Sequence, residues 1–484
     1  MAEIIAEDAE LPEGAGDLAL TGLTADSRRV APGMLFAALP GTKVDGARFV
    51  PQAVAAGAAA ILTGPQPIEH DPGVPVIRAA DPHRALARAA ARFYGAQPGT
   101  IVAVTGTNGK TSVAVFVRQL WQRAGRSAAS LGTIGLVAPG GARPGNLTTP
   151  DPVALHALLA ELAGEGVSHL ALEASSHGLE QRRLDGVHIS AAAFTNLSRD
   201  HLDYHPSLDA YFAAKRRLFE DLLPEGAGVV IDPAEPYAEG IAEVARRRDL
   251  PLLTVGSQGE TLRLLAADRT PDGARLTVEA AGERFEVPLP LVGRFQTSNA
   301  LVAAGLAIAT GMKPAEALAG LEHLKGASGR LERVGTHPSG AQVYVDYAHT
   351  PEALANVLQA LRPHVQGRLT VVFGAGGDRD PGKRPLMGEA AHRHADRLIV
   401  TDDNPRSEDP SLIRRAILEG APGAEEIGDR RAAIGAAVAG LGPGDILLIA
   451  GKGHETGQTI GDTVLPFSDQ EEARAALAAL EAEA

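Results

Sequence analysis

The 484-residue sequence contains no cysteine. That absence removes disulfide staples, thiolate nucleophiles and cysteine-type zinc centres together. Any chemistry must rest on carboxylates, imidazoles, lysine, arginine and hydroxyls. Positive charge is scarce as well: 45 Lys and Arg against 59 Asp and Glu give a formal net charge of -14 and a pI near 5.6. Nucleic acid or an anionic membrane surface is thereby disfavoured as a partner, because phosphate polyanions demand a basic face. A small nucleotide needs only local positive charge and remains compatible. Long apolar runs are missing too: the longest low-charge segment, about Ala300 to Gly311, is too short to span a bilayer. Met1 to Glu10 is acidic without an apolar stretch, unlike a secretory signal. A soluble, cytoplasmic protein without membrane insertion is expected. Finally, the Asn-Lys-x-Asp motif of guanine-nucleotide switches is absent.

The length exceeds what one hydrophobic core supports and suggests roughly three domains. Breaks at Gln97-Pro98-Gly99-Thr100 and Gly326-Ala327-Ser328-Gly329-Arg330 place them at 1–97, 98–326 and 327–484. The first has apolar strands at Met34 to Leu39 and Ala58 to Thr63 and a helix from about Pro82 to Tyr94. Beyond residue 100 strands and helices alternate. Helices are expected at 152–163, 208–218 and 298–310, and strands at 168–173, 191–195 and 228–231, with antiparallel hairpins over Thr261 to Val287. The third section continues with strands at 342–346, 369–373, 397–401 and 445–449. Its helices are expected at 351–361, 385–395, 411–418, 430–440 and from 469. The pattern predicts an α/β protein with mostly parallel sheets covered by helices.

The central feature is Ile101 to Thr111. Four apolar residues of strand character run into Gly106-Thr107-Asn108-Gly109-Lys110-Thr111, and an amphipathic helix follows from Ser112 to about Ala124. Small residues let backbone N–H groups and a helix N-terminus point at an anion, which makes this a phosphate cradle. Lys110 would neutralise phosphate charge and Thr111 would ligate Mg²⁺. The eight-residue P-loop pattern is incomplete, since Val104 stands at its first glycine.

Other polar clusters follow strands, where ligands of α/β sheets bind. Glu173 ends an apolar strand and precedes Ala174-Ser175-Ser176-His177-Gly178, a suitable place for a Mg²⁺ ligand. Thr195 to His205 carries His201, His205, Asp200 and Asp203, a density that favours a metal or phosphate site, although histidine is an unusual Mg²⁺ ligand. Lys215-Arg216-Arg217, taken by pattern alone, is a solvated helix face. In the third section Arg379, in Gly376-Gly377-Asp378-Arg379, and Arg406, in Asp403-Asn404-Pro405-Arg406, sit after neighbouring strands and could hold a carboxylate in fork geometry. Gly451-Lys452-Gly453-His454-Glu455 would face the same crevice.

These stretches, with Asp346-Tyr347-Ala348-His349-Thr350-Pro351 and Asp26-Ser27-Arg28, together resemble the Mur ligases along essentially the whole chain, in particular the branch that builds the UDP-N-acetylmuramoyl tripeptide. The resemblance implies a smaller N-terminal α/β domain for UDP, a central P-loop ATPase-like domain and a C-terminal Rossmann-like domain that brings the amino acid. It implies ATP as co-substrate, held by Gly106, Thr107, Asn108, Gly109, Lys110, Thr111, Ser112, Asn299, Arg330 and Asp346. It implies one Mg²⁺ at Thr111 and Glu173 and a second at His201, with Lys110, Glu173, His201 and Lys215 as the catalytic set. Lys215 matches the family lysine that reacts with CO₂, which reverses the pattern reading of that residue. Ser27, Thr148, Thr149, Ser175, Gln181 and Arg183 fall on substrate positions for the UDP-muramoyl dipeptide. Leu147 stands where some members have asparagine, and Ala174 replaces a frequent valine.

For the amino acid, the resemblance implies Arg379, Asp403, Asn404, Pro405, Arg406, Gly451 and Glu455. Asp403 to Arg406 resembles the meso-diaminopimelate signature, whose arginine pairs with the distal carboxylate. The implied reaction is ATP-dependent ligation of a diamino acid to the D-glutamyl carboxylate of UDP-N-acetylmuramoyl-L-alanyl-D-glutamate through an acyl phosphate, by a monomeric enzyme of peptidoglycan synthesis. L-Lysine or L-ornithine as the diamino acid, a folylpolyglutamate-synthetase-like ligase, and a non-ligase P-loop nucleotide-binding protein are the alternatives.

Overall fold

A parallel strand covered on both faces needs apolar side chains in both directions, and Ile101-Val102-Ala103-Val104 supplies them without interruption. In the computed structural model, all four are fully buried in the strand Thr100–Thr105. The structure describes residues 1–5, 7–41, 44–68, 71–201, 204–270 and 272–483. Leu202 and Asp203 of the histidine-rich stretch lie outside them. The chain divides into two compact units, the first comprising Met1–Leu265, Val278–Phe285 and Asn299–Gly320.

The first unit begins with a four-stranded parallel sheet of Gly22–Thr24, Met34–Ala38, Ala60–Thr63 and Val76–Arg78, in that order. Its helix Pro82–Tyr94 starts with Asp81 accepting from the Arg84 N–H at 3.1 Å and proline in the first turn, and stops at Gly95. This helix packs on the helix Pro152–Gly164, which Asp151 caps in the same way. A larger sheet runs Leu252–Gly256, Gly228–Ile231, Ile189–Phe194, Thr100–Thr105, His169–Glu173 and Ala128–Gly132, all parallel. Two antiparallel strands, Gly135–Ala138 and Gly141–Arg143, complete that edge. Loops after Thr105, Glu173 and Phe194 therefore emerge side by side at the carboxyl ends of adjacent strands, where parallel sheets bind ligands. The alternating stretch after Thr261 forms the strands Leu262–Thr270, Gly273–Ala280 and Glu283–Leu289.

The second unit comprises Ala266–Thr277, Glu286–Ser298 and Leu321–Ala484. Its sheet runs Glu332–Thr336, Gln342–Asp346, Ile446–Ala450, Leu369–Phe373, Arg397–Val400 and Glu425–Glu426, parallel except at the first pairing. Alternate residues point to opposite layers. Val371 and Leu448 pack with Leu354, Leu358, Met387 and Ile417. Val372 and Ile449 pack with Ile434, Val438, Ala473 and Leu477. The expected strands 228–231, 342–346 and 369–373 and the helix 351–361 form with those bounds.

Arg430 and Asp469, both fully buried, join the starts of the helices Arg430–Ala439 and Asp469–Glu483 through two hydrogen bonds of 2.7 Å. Arg430 Nη2 also donates to the Ala450 carbonyl at 2.9 Å, which ties the pair to the end of a central strand. Removing one partner leaves a buried charge without compensation. Asp469→Ala should cost about 3–5 kcal/mol, measured as a lowered urea midpoint for the unfolding of the second unit.

Candidate active site

The phosphate-cradle loop is shaped by contacts that only glycine tolerates. Gly106 has φ +149 and Gly109 φ +84. A Cβ on Gly106 would collide with Thr195 Oγ1, and one on Gly109 with Asn299 Oδ1. Thr195 Oγ1 donates to the Asn108 carbonyl at 2.6 Å, while Asn196 accepts from the Asn108 N–H at 2.9 Å through Oδ1 and from the Thr107 N–H at 2.9 Å through its carbonyl. The strand Ile189–Phe194 thus clamps the loop from the side. The helix Lys110–Arg123 starts directly after Gly109, with Thr111 and Ser112 buried in its first turn and its positive end under the loop. Val104 lies inside the strand, paired with Glu173 and Ala193. The glycine missing from the P-loop pattern is therefore a buried strand residue, and the turn begins two residues later.

Lys110 Nζ arches back over the loop and donates to the carbonyls of Gly106 at 2.9 Å and Thr107 at 2.8 Å. Lys215 Nζ donates to the same Gly106 carbonyl at 2.7 Å and lies 4.2 Å from the centre of the Tyr211 ring. The solvated-face reading of Lys215-Arg216-Arg217 is corrected here. Tyr211, Lys215 and Leu218 are buried at i, i+4 and i+7, one inward stripe of the helix Leu208–Arg217 and its continuation. Only Arg216 and Arg217 turn to carboxylates, Glu220 and Asp185. Burial, and then the Lys110 charge, push the Lys215 amine well below the usual lysine range.

Beside the loop, the buried Glu173 carboxylate accepts from the Thr133 N–H at 2.9 Å and the Thr133 hydroxyl at 3.1 Å. Gly132 leaves it room, since a Cβ there would strike the carboxylate. The Thr133 and Thr148 hydroxyls lie 3.0 Å apart. Thr149 Oγ1 donates to the Glu173 carbonyl at 2.8 Å and accepts from the Ser175 N–H at 3.1 Å. Arg183 reaches the Thr149 carbonyl at 2.7 Å and Gln181 Oε1 at 2.6 Å, and Gln181 Nε2 donates to the Tyr204 hydroxyl at 3.1 Å. The five expected dipeptide-side residues outside the N-terminal sheet therefore join one network with Glu173. Ser27 stands apart in that sheet's neighbourhood, its hydroxyl 3.2 Å from Gln52 Oε1. Next to it Arg28 grips Asp26 in fork geometry.

Thr111 and Glu173 are hard oxygen donors of the kind Mg²⁺ prefers. Among the described residues no three His, Asp or Glu side chains converge as a metal cage. A divalent cation here would take one or two protein oxygens and complete its shell with phosphate and water, the usual mode for Mg²⁺. His201 has φ +52, is half exposed, and its ring lies 5.0 Å from that of His177.

The expected amino-acid residues gather within the second unit. Asn404 Nδ2 donates to Glu455 Oε2 at 2.8 Å, and Lys452 Nζ donates to both Glu455 Oε2 at 2.8 Å and Asn404 Oδ1 at 3.1 Å. A Cβ on Gly451 would sit 2.6 Å from Asp403 Oδ2, and one on Gly377 would strike the Pro405 carbonyl. Arg406, at φ +52, donates from Nη1 to the Gly377 carbonyl at 2.7 Å. Arg379 adds positive charge felt at Tyr347 and Lys383. Asp346 is buried at its strand end and accepts from the N–H groups of Leu331 at 2.6 Å and Ala348 at 2.8 Å. Burial raises its carboxyl above the usual range, against the pull of Arg330. The Arg330 guanidinium lies 4.7 Å from the Tyr347 ring centre. Thr133, Tyr204 and Lys452 carry these networks without an individual role in the sequence reading. Lys452 lies within Gly451-Lys452-Gly453-His454-Glu455, whereas Thr133 has no distinguishing neighbour in the sequence.

The geometry, a glycine cradle at a strand end with two lysines on one loop carbonyl, one of them buried, and a second unit of dinucleotide-fold type, defines a nucleotide-using α/β enzyme. The chain belongs to the Mur ligase family. Residues 19–94 match its catalytic domain, 104–307 the Mur ligase middle domain, and 329–453 the glutamate ligase domain. It is 59% identical, over 96% of each chain, to a protein of Chelativorans sp. (strain BNC1) named UDP-N-acetylmuramoyl-L-alanyl-D-glutamate--2,6-diaminopimelate ligase. A solved structure of a ligase of that name is 34% identical, with a TM-score of 0.73 over 98% of this chain and 97% of the other. A Mycobacterium tuberculosis folylpolyglutamate synthase solved with ADP and AMPPCP has a TM-score of 0.60 at 21% identity. It covers 74% of this chain and 89% of its own, and shares the fold alone.

Gly109→Ala tests the cradle directly. Forcing a side chain into φ +84 against Asn299 costs about 1–3 kcal/mol, so ATP binding by titration calorimetry should weaken by roughly one to two powers of ten.

Proposed function

We propose that this chain is an ATP-dependent ligase that joins meso-2,6-diaminopimelate to the D-glutamyl carboxylate of UDP-N-acetylmuramoyl-L-alanyl-D-glutamate. The observation that carries the reading is the convergence of Lys110 and Lys215 on the Gly106 carbonyl, in a loop one strand away from Glu173 and its network. ATP is the co-substrate. The D-glutamyl carboxylate attacks the γ-phosphorus, the bond to the β-phosphate oxygen breaks, and ADP leaves an acyl phosphate. The incoming amine adds to that carbonyl, and the tetrahedral intermediate expels phosphate while the nitrogen loses its proton. Lys110 and the loop N–H groups hold negative charge on the transferring group, and positioning supplies much of the remaining acceleration. Thr111 and Glu173 would hold one Mg²⁺ and His201 a second, and these ions when bound would neutralise phosphate charge.

Lys215 is proposed to react with CO₂. Its buried amine is disfavoured as a second cation beside Lys110, which keeps a lone pair available. The amine nitrogen bonds to the carbon, a proton is released, and a carbamate anion replaces a charge that the neighbourhood repels. The UDP moiety is assigned to Ser27 and its sheet, and the dipeptide to Thr148, Thr149, Ser175, Gln181 and Arg183. ATP contacts from Asn299, Arg330 and Asp346 belong to the same reading. So do the domains 1–97, 98–326 and 327–484, supported by family segments that stop at 94 and 307 and resume at 104 and 329. No helix among the described residues is long and apolar enough to cross a membrane, and a monomeric cytoplasmic enzyme of peptidoglycan synthesis is the proposed setting.

Diaminopimelate is chosen over L-lysine and L-ornithine because of Arg406. One of its five donors holds Gly377, and its planar fork suits the distal carboxylate that only diaminopimelate carries.

Phosphate release should require ATP, the UDP-muramoyl dipeptide and a diamino acid together, and release without the dipeptide would end the ligase reading. Lys215→Ala should nearly abolish turnover, with partial recovery on adding short carboxylic acids; full activity in the plain variant removes the carbamate. Arg406→Ala should raise the KM for diaminopimelate by roughly 10- to 100-fold, the scale of a lost charged hydrogen bond, while the KM values for ATP and the UDP-dipeptide stay nearly unchanged. A wild-type preference for L-lysine or L-ornithine would overturn the role of Arg406.

A further inference from the structure

Lys452, just beyond the strand Ile446–Ala450, has no exposed side-chain surface, yet its donors go to the Glu455 and Asn404 side chains. The chain is bent to put it there. Gly451 and Gly453 have φ +113 and +54, and a Cβ would come within 2.6 Å of Asp403 Oδ2 at the first and of Tyr347 Cβ at the second. Two donors, Lys452 Nζ at 3.1 Å and the Thr459 N–H at 2.9 Å, fall on Asn404 Oδ1. That leaves the amide one orientation, with Nδ2 facing Glu455 Oε2 at 2.8 Å. The flipped amide would set N–H groups against the Lys452 ammonium and a carbonyl oxygen against the Glu455 carboxylate. Lys452 also occupies Glu455 Oε2. The second amide hydrogen of Asn404 and the other oxygen of Glu455 are then a donor beside an acceptor. This pair is complementary to the carboxylate and ammonium borne by one carbon of an amino acid.

We infer that Lys452 is a positioning residue, which fixes the polarity of Asn404 and Glu455 so that they receive one of the two carboxylate-and-ammonium-bearing carbons of the diamino acid. The inference rests on the ligase reading above and adds to it a buried residue that meets no substrate.

The test is steady-state phosphate release by the full-length chain, with each substrate varied in turn, for Lys452→Met, Lys452→Gln, Glu455→Gln and Lys452→Met/Glu455→Gln. Lys452→Met should raise the KM for diaminopimelate about tenfold or more, the scale of a misoriented charged hydrogen bond, while the KM values for ATP and the UDP-dipeptide stay within about twofold. Lys452→Gln, which keeps one donor, should fall between it and wild type. Because Lys452 acts through Glu455, the double variant should show roughly the larger single effect and not their product. Equal rises for all three substrates, a multiplicative double variant or an unchanged KM for diaminopimelate would overturn the inference. So would failure of both Lys452 single variants to fold, which would make Lys452 a part of the fold. An active wild-type enzyme with unshifted variants removes only this inference; a wild-type chain that ligates no diamino acid removes the ligase reading and this with it.

Discussion

Two lysine side chains, one from the helix after the phosphate loop and one from a helix more than a hundred residues later, donate to a single carbonyl oxygen, that of Gly106. Like charges this close repel, and burial of one of them removes the water that would screen it. The arrangement is stable only in a protein that holds the loop rigidly and brings negative charge to it. The loop's rigidity comes from the Thr195 and Asn196 contacts, from glycines that nothing larger could replace, and from the strand that buries Val104. The need for anions is met in the proposed reaction by triphosphate on one side and by a carbamate on the other. A chain with a net charge of -14 can still concentrate positive charge at one point, because backbone N–H groups and a helix terminus add to it without any further basic residue.

The long strands and helices were legible because their patterns are dictated by burial. Val371 and Val372 face opposite apolar layers, so the strand Leu369–Phe373 reads as a continuous run. Three-residue strands such as Gly22–Thr24 and Val76–Arg78 are too short to show a period. The hairpin of Gly457–Ile460 and Thr463–Pro466 escaped for another reason: Ile460, Val464 and Leu465 are exposed there, so no inside-outside alternation marks it. At the site, glycine-bounded motifs announced themselves through backbone needs. By pattern alone Lys215 did not, because adjacent arginines gave its segment the composition of a solvated face; only the family resemblance marked it, and its inward direction follows from Tyr211 and Leu218 on the same stripe. Thr133 was invisible, since its value lies in being placed beside Glu173 by strand pairing across 40 residues of sequence.

The two fully buried lysines show how context divides one side chain into two chemistries. Both lie deep in the protein, Lys215 about 1% exposed and Lys452 not at all. Lys452 has a carboxylate oxygen at 2.8 Å and an amide oxygen at 3.1 Å, so its charge is matched where it sits and its donors set the direction of Asn404 and Glu455. Lys215 meets a carbonyl oxygen, an aromatic face and the charge of Lys110, which outweighs the opposing pull of Asp200. Its amine is therefore driven toward the neutral, nucleophilic form. An ion-paired lysine serves as a fixed donor, and an unmatched one as a reactive nitrogen. The two proposed roles therefore rest on the partners each lysine meets, and residue type alone distinguishes neither.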